Sequence, residues 1–129
     1  MTFSKSDLER VALPALNDIH DEEVEMVGRI VDLCAAGDEA ALGDAISELH
    51  EHFKAHFDLE EANMLRTDFE DYDEHKGEHE AFLLRYEAVM EEGSLEEVKE
   101  FFGSQLPEWF VDHVANLDVV TAEHVAGWS

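Results

Sequence analysis

The sequence is poor in cysteine, in proline and in long apolar runs. Cys34 is the one cysteine among 129 residues, so no disulfide can form within the chain. Two prolines leave long stretches free to be helical. No apolar run approaches the roughly 20 residues of a membrane-spanning helix, and the N-terminus lacks the apolar segment of a signal peptide. We therefore expect a soluble, cytoplasmic protein that does not enter a membrane.

Basic residues are also scarce. Eight Lys and Arg stand against 33 Asp and Glu, which gives a formal net charge of −25 at pH 7. Such a surface repels nucleic acids and anionic membranes, so we expect neither as a partner. Two explanations of the acidity stay open. The chain is adapted to a salty cytoplasm whose ions screen the repulsion, or it is an unusually acidic protein from an ordinary cell.

The sequence has apolar stripes of helical period, and no segment has the alternation of a strand. Short links between long helices are typical of an all-α, antiparallel up-down-up-down four-helix bundle. We expect a single domain over residues 1–129, in which residues 1–16 form an N-terminal arm and residues 17–126 form the bundle. The four helices are predicted at about residues 17–36, 39–65, 69–91 and 95–126.

The fourth stripe is interrupted. Gly103 and Pro107 lie within it, and a proline is tolerated only in the first turn of a helix. We therefore predict a kink or a restart of the helix near Ser104. Beyond this point the period predicts that Leu117 and Val120 face the core.

Seven ionisable residues lie on the apolar stripes or at their borders. Burial of an unpaired carboxylate costs several kcal/mol or forces it to become neutral. Two buried carboxylates on different helices therefore need a shared positive charge, which metal ions supply. We predict these seven as metal ligands: His20, His56, Glu60, His75, His79, His113 and Asp118.

The spacing of these residues supports this interpretation. His56 and Glu60 are four residues apart, as are His75 and His79, so each pair projects from one face of its helix. Asp118 lies five residues after His113, which rotates it by about 140° around a regular helix. Two explanations remain for that spacing: the carboxylate reaches across to a second metal ion, or the helix turn is locally widened.

Five imidazoles and two carboxylates exceed what one ion can use, so we predict two metal ions with both carboxylates bridging. Two divalent ions carry four positive charges, and two carboxylates with a bridging hydroxide offset three of them. Imidazole together with carboxylate suits iron, and other transition metals less distinctively. Of the remaining histidines, His50 and His52 are predicted at the surface, and His124 in a last helical turn, where a cation suits the helix dipole.

At this point three segments resemble the signature motifs of the hemerythrin family. HFDLEEANM (residues 56–64) is similar to HFxxEExxM, HKGEHEAF (residues 75–82) to HxxEHxxF, and WFVDHVANLD (residues 109–118) to WxxxHxxxxD. The order of the motifs is the same, and the resemblance spans about residues 17–121.

The resemblance implies a non-haem di-iron centre. One iron would take His75, His79 and His113, and the other His20 and His56 with an open position. Glu60 and Asp118 would bridge the irons beside an oxo or hydroxo bridge. The implied function is reversible O2 binding for transport, storage or supply, and NO and azide are further small ligands that such a site would accept.

A pocket that holds O2 must exclude water, which would promote permanent oxidation of the iron. The alternative for the apolar side chains near the ligands is plain core packing. One departure from the family pattern is Thr121, which stands where the family has an aromatic residue. The predicted pocket lining is Phe53, Phe57, Met64, Trp109 and Phe110.

Two other functions stay open. The first is a di-iron oxidase or a peroxide-detoxifying enzyme, and the second is a module that senses O2 or iron through a protein partner not identified by the sequence. Ferritin-like oxidases use more carboxylates and Glu-x-x-His pairs. Because the present set is rich in histidine, we expect O2 binding rather than catalysis, beyond weak oxidase or peroxidase activity.

Overall fold

The computed structural model describes residues 3–128, so residues 1, 2 and 129 of the predicted domain lie outside the described part. This part is a four-helix bundle and contains no strand, which confirms the predicted fold class. A 3-10 turn, Lys5–Asp7, precedes the bundle. The helices are α1 (Pro14–Ala36), α2 (Glu39–Arg66), α3 (Tyr72–Glu92) and α4 (residues 95–126).

The helix ends follow from local sequence signals. α1 begins at Pro14, inside the segment assigned to the arm, because a proline is well suited to the first turn of a helix. It ends at Gly37, whose φ of 75° is left-handed and favours glycine. The Asp38 side chain caps α2 by accepting a backbone N–H bond, and Ser94 and Glu97 form a capping box at the start of α4.

α4 is continuous but contains two widened turns. Its α-helical geometry is interrupted by π turns at Phe101–Gln105 and Val114–Asp118. The helix therefore does not restart near Ser104, and the irregularity predicted there is the first π turn. Pro107 follows at the start of the next α-helical segment, where its missing N–H is tolerated.

An aromatic core fills the bundle on one side of the predicted ligands. Phe53, Phe82, Tyr86 and Phe102 are 0–1% exposed. The Tyr86 hydroxyl donates a hydrogen bond of 2.6 Å to the backbone oxygen of Ile46, so this buried polar group is paired. Full burial of each aromatic ring stabilises the fold by roughly 1.5–3 kcal/mol. This packing fixes the helices that carry the ligands.

The described residues before α1 pack on the bundle. The backbone N–H and C=O of Val11 are both paired with the Asn17 side chain, at 2.9 and 3.0 Å. Arg10 forms a bidentate ion pair with Asp21 of α1. The Phe3 ring lies 6.1 Å from the ring of Phe110 in α4. Among residues 3–128, no helix combines the length and apolar character needed to cross a membrane.

Candidate metal centre

The structure brings all seven predicted ligands into one buried cluster between the four helices. α1 contributes one residue, and each of the other three helices contributes two. Every member is 0–2% exposed, although all are ionisable. The cluster consists of His20, His56, Glu60, His75, His79, His113 and Asp118.

Three imidazoles converge in one half of the cluster. The Nε2 atoms of His75 and His79 each lie 3.2 Å from Nε2 of His113. Metal–nitrogen bonds are about 2.0–2.1 Å long, so neighbouring ligands of one ion have nitrogens about 3.0–3.4 Å apart. Nε2 of His113 is therefore spaced from the other two Nε2 atoms as ligands of a single ion would be, and all three lie within 4.8 Å of one another.

The two remaining imidazoles form the second half. The rings of His20 and His56 have centroids 5.1 Å apart. Nε2 of His20 lies 3.3 Å from Oδ2 of Asp118, and Nε2 of His56 lies 2.9 Å from Oε2 of Glu60. This half therefore offers two imidazoles and one oxygen from each carboxylate.

Both carboxylates face both halves. Oδ1 of Asp118 is 3.1 Å from Nε2 of His75 and of His113, whereas Oδ2 faces His20. Glu60 places Oε1 3.7 Å from Nε2 of His75, and Oε2 2.9 Å from Nε2 of His56 and 3.6 Å from Nε2 of His79. One oxygen of each carboxylate is thus available to each half, which is the arrangement that bridging requires.

The second π turn of α4 brings Asp118 into the cluster. A π turn closes hydrogen bonds between residues five apart. The turn at Val114–Asp118 therefore places Asp118 beside His113 on the same side of the helix. The structure contains the locally widened turn, and Oδ2 of Asp118 also reaches the half that holds His20, so the two explanations left open for this spacing are compatible.

Several buried polar atoms of the cluster have no hydrogen-bond partner among residues 3–128. Each buried atom of this kind costs about 1–3 kcal/mol. Their short contacts with one another lack hydrogen-bond geometry, and a set of cations would satisfy them together. The donor set therefore fits metal ions. The atoms are both ring nitrogens of His20, Nε2 of His56, and both oxygens of Glu60 and of Asp118.

The pKa values of the cluster show the same need for positive charge. Burial and the neighbouring Asp118 raise the pKa of Glu60 to about 7. Burial alone would lower the pKa of His113, but Asp118 and Glu78 outweigh it and raise that pKa to about 9. Burial together with His113 lowers the pKa of His79 to about 2. Without a metal ion the carboxylates are thus compensated by bound protons, which metal binding would displace.

Four of the five imidazoles are held from behind through Nδ1. A hydrogen bond at Nδ1 fixes the tautomer and directs the Nε2 lone pair into the cluster. The partners and distances are Glu23 for His56 (2.9 Å), Thr121 for His75 (2.9 Å), Glu61 for His79 (2.9 Å) and Glu78 for His113 (2.8 Å).

These outer partners were missed in the sequence. Glu61 and Glu78 occupy fixed acidic positions of the HFxxEExxM and HxxEHxxF signatures to which no role was assigned, so their place in the motifs was an available signal. Thr121 was noted only as a departure from the family pattern. Glu23 lies in the acidic run DEE of residues 21–23, but it is three residues after His20 and four before Val27. Its place on the inward face of the helix was therefore an available signal.

The two histidines predicted at the surface are each only partly exposed. The His50 side chain is only 12% exposed, and its Nε2 lies 2.8 Å from Glu87 of α3. His52 is part-buried between Glu22 and Glu23 of α1. Both flank the inward stripe of α2 and are covered by the adjacent helices.

His124 lies in the last helical turn, as predicted. Its Nε2 donates a hydrogen bond of 2.8 Å to the backbone oxygen of Thr67. It therefore links the end of α4 to the end of α2 and takes no part in the cluster.

Aromatic rings cover the cluster on both halves. Phe57 stacks on His79 at 3.9 Å, and Trp109 stacks on His113 at 4.5 Å. On the other half, Phe110 meets His20 edge-on at 5.5 Å. The predicted lining residues Phe53 and Met64 are fully buried; Phe53 packs against His56 and Phe110 at 6.3 and 5.7 Å, and Met64 lies one turn beyond Glu60.

The curated proteins that are similar to this chain are bacteriohemerythrins. No model of a known protein family matches the chain. Bacteriohemerythrin of Aquifex aeolicus is 26% identical over 129 residues, covering 97% of this chain and 98% of the relative. Bacteriohemerythrin of Pseudomonas aeruginosa (strain PAO1) is 28% identical over 109 residues, covering 82% and 70%.

The fold is similar to solved structures of hemerythrin. Crystal structures of a wild-type hemerythrin and of a variant with one leucine replaced by alanine superpose with a TM-score of 0.86. In both cases the superposition covers 98% of this chain and 98% of the hemerythrin chain, at 21% sequence identity.

Proposed function

We propose that this chain, which belongs to the hemerythrin family, binds O2 reversibly at a non-haem di-iron centre. The observation that carries the proposal is the unequal division of the ligands. Three imidazoles converge in one half and two in the other. Asp118 belongs to both groups, and Glu60, which groups with the three imidazoles, also lies 2.9 Å from Nε2 of His56. An ion in the two-imidazole half would have one protein ligand fewer, and so a position for a small molecule.

Each ligand has a place in this proposal. We assign Glu60 and Asp118 as bridges, and an oxo or hydroxo bridge would complete the centre. When bound, the iron pair would supply the electrons that hold O2. The three-imidazole ion would be held by His75, His79 and His113, and the two-imidazole ion by His20 and His56.

The chain's own side chains would keep the centre dry. Phe110 is 1% exposed and lies over His20, and Phe53 closes the same half from the side of α2. Exclusion of water protects a reduced centre from permanent oxidation. We therefore propose Phe110 and Phe53 as the wall of the O2 pocket, and Phe57, Trp109 and Met64 as the cover of the remainder.

The alternative of a di-iron oxidase receives less support. Tyr86, the buried tyrosine, is committed to the backbone oxygen of Ile46. Tyr86 therefore takes no part in the proposed centre, which consists of five imidazoles and two carboxylates. Ferritin-like oxidases, in contrast, rely mainly on carboxylates. Transport, storage and local supply of O2 all remain within the proposal.

The test is reversible oxygenation. The iron-loaded protein is reduced without air, O2 is admitted, and the visible spectrum is followed through cycles of degassing. We expect two irons per chain and a colour that appears and disappears with O2. His56→Gln should lose the second iron, whereas His50→Gln, outside the cluster, should behave as the unmodified chain. Irreversible bleaching with turnover of a reductant would favour the enzyme, and one zinc per chain would overturn both functions.

A further inference from the structure

A third carboxylate is fully buried beside the cluster. Glu23 of α1 is 0% exposed and lies one turn after His20. Its Oε2 accepts two hydrogen bonds of 2.9 Å, one from Nδ1 of His56 and one from Nδ1 of His52. Its Oε1 has no hydrogen-bond partner within residues 3–128. The two imidazole N–H groups satisfy Oε2 of this buried carboxylate.

His52 connects Glu23 to the surface. Its Nε2 lies 2.8 Å from Oε2 of Glu22, whose side chain is 65% exposed. The hydrogen bond with Glu23, followed by that with Glu22, raises the pKa of His52 above its ordinary value despite its partial burial. In its charged form His52 donates from both ring nitrogens, one to each carboxylate. The charges of Glu22 and His52, the two outer members of this hydrogen-bonded series, therefore offset each other near the surface. The charge of Glu23 remains on the inner side, against His56.

The other outer carboxylates differ in this respect. The side chain of Glu61, behind His79, is 18% exposed, and that of Glu78, behind His113, is 41% exposed. Solvent screens their charges more strongly than that of a buried group. Thr121, behind His75, carries no charge. Glu23 is thus the fully buried charge among the four partners, and it lies on the two-imidazole half.

We propose that Glu23, held in place by His52, positions His56 and supplies the buried negative charge that balances the metal ion on the two-imidazole half. This inference rests on the proposed di-metal function. Two divalent ions carry four positive charges, and Glu60, Asp118 and a hydroxide offset three. Glu23 supplies the fourth. The hydrogen bond to Nδ1 also holds the lone pair of His56 Nε2 towards Glu60 and the centre.

Titration of the metal-free protein with Co2+ tests the positioning role without any O2 chemistry. The visible absorption of Co2+ reports the number of bound ions and their coordination. Loss of such an outer partner typically weakens metal binding by about 10–100-fold. We expect Glu23→Gln to weaken the binding of one of the two Co2+ ions by this factor. The matched control Glu78→Gln acts on His113 of the other half and should have a smaller effect, because solvent reaches Glu78.

The reduction potential of the iron-loaded protein tests the charge. Removal of a buried negative charge disfavours the oxidised ions, so Glu23→Gln should raise the potential. His52→Gln removes a positive charge near Glu23 while its amide can still donate to it, so this variant should lower the potential. A purely structural role would not give opposite signs. If Glu23→Gln does not fold, the reduction potential of His52→Gln alone tests the proposal. A lower potential supports it, and a higher or unchanged potential overturns it.

The outcomes separate the two proposals. If the unmodified chain binds fewer than two Co2+ ions, the di-metal function itself fails. If it binds two and Glu23→Gln retains both affinities, only the role of Glu23 is overturned. Shifts of the potential in the same direction for Glu23→Gln and His52→Gln would likewise overturn it.

Discussion

Replacement of Thr121 by valine should weaken the cluster without disturbing its packing. The Thr121 hydroxyl oxygen accepts the Nδ1–H of His75 at 2.9 Å. Thr121 is 3% exposed and His75 is 0% exposed, so water cannot replace the lost acceptor. Valine has nearly the shape of threonine, and it also suits the buried face of a helix that packs on α3. The change therefore removes one hydrogen bond and little else.

The magnitude follows from that bond. A buried N–H left without an acceptor costs about 1–3 kcal/mol, so the metal-free Thr121→Val variant should lose about this much stability. In the metal-loaded protein the imidazole of His75 also loses the contact that fixes its tautomer. Loss of such a contact weakens metal binding by about 10–100-fold, which corresponds to about 1.4–2.8 kcal/mol.

Two measurements check this prediction: thermal unfolding of the metal-free chain, and competition for Fe2+ or Co2+ against a chelator of known affinity. Thr67→Val is the matched control. The Thr67 hydroxyl is also buried, but it donates to the backbone oxygen of Asn63 in its own helix, away from the cluster. Thr67→Val should lose stability and retain metal affinity. Unchanged affinity of Thr121→Val would refute the reasoning that His75 is held through its Nδ1.

Three further predictions concern the pocket, the protons and the surface charge. Phe110→Leu opens space beside His20, so the oxygenated protein should oxidise irreversibly at a faster rate, as followed by its visible spectrum; an unchanged rate would show that Phe110 is not part of the pocket wall. The raised pKa values of His56 and His113 mean that the metal-free fold holds protons that the unfolded chain releases. Its melting temperature should therefore fall as the pH rises from about 6.5 to 9, while the metal-loaded protein should not show this fall, and equal pH profiles would contradict the displacement of these protons by metal. Finally, 1 M salt shortens the screening length to about 3 Å and should raise the melting temperature of a chain with a net charge of −25; no response to salt would argue against adaptation to a salty cytoplasm.

The fold and the ligands could be predicted because both leave local signals. A stripe of period 3.6 predicts a helix whatever its partners are. A histidine or carboxylate within such a stripe is conspicuous, since an unpaired polar group is costly in a core. His56 and Glu60 share one helix face, and so do His75 and His79. Each pair could therefore be predicted as ligands from the sequence of a single helix.

The pairing of Glu23 with His52 could not be predicted in this way, because it depends on a contact between helices. Glu23 and His52 are 29 residues apart in sequence and meet only when α1 packs on α2. The inward position of Glu23 on α1 does not reveal which residue it meets, and His52 lies beside the charged Glu51 and Lys54. Their pairing follows from the approach of the two helices, and a single helix does not encode it.

The two π turns of α4 explain why the period failed towards the C-terminus. A regular helix predicts that Val120 faces the core, but Val120 is 51% exposed, and Thr121 and Ala122 are buried instead. Each π turn inserts one extra residue and so rotates the following face by about 100°. The turn that ends at Asp118 brings this carboxylate beside His113 and also turns Thr121 towards His75. A single widened turn therefore provides one proposed bridging ligand and the hydrogen-bond acceptor behind another ligand, so the loss of apolar periodicity in this segment is a consequence of building the cluster.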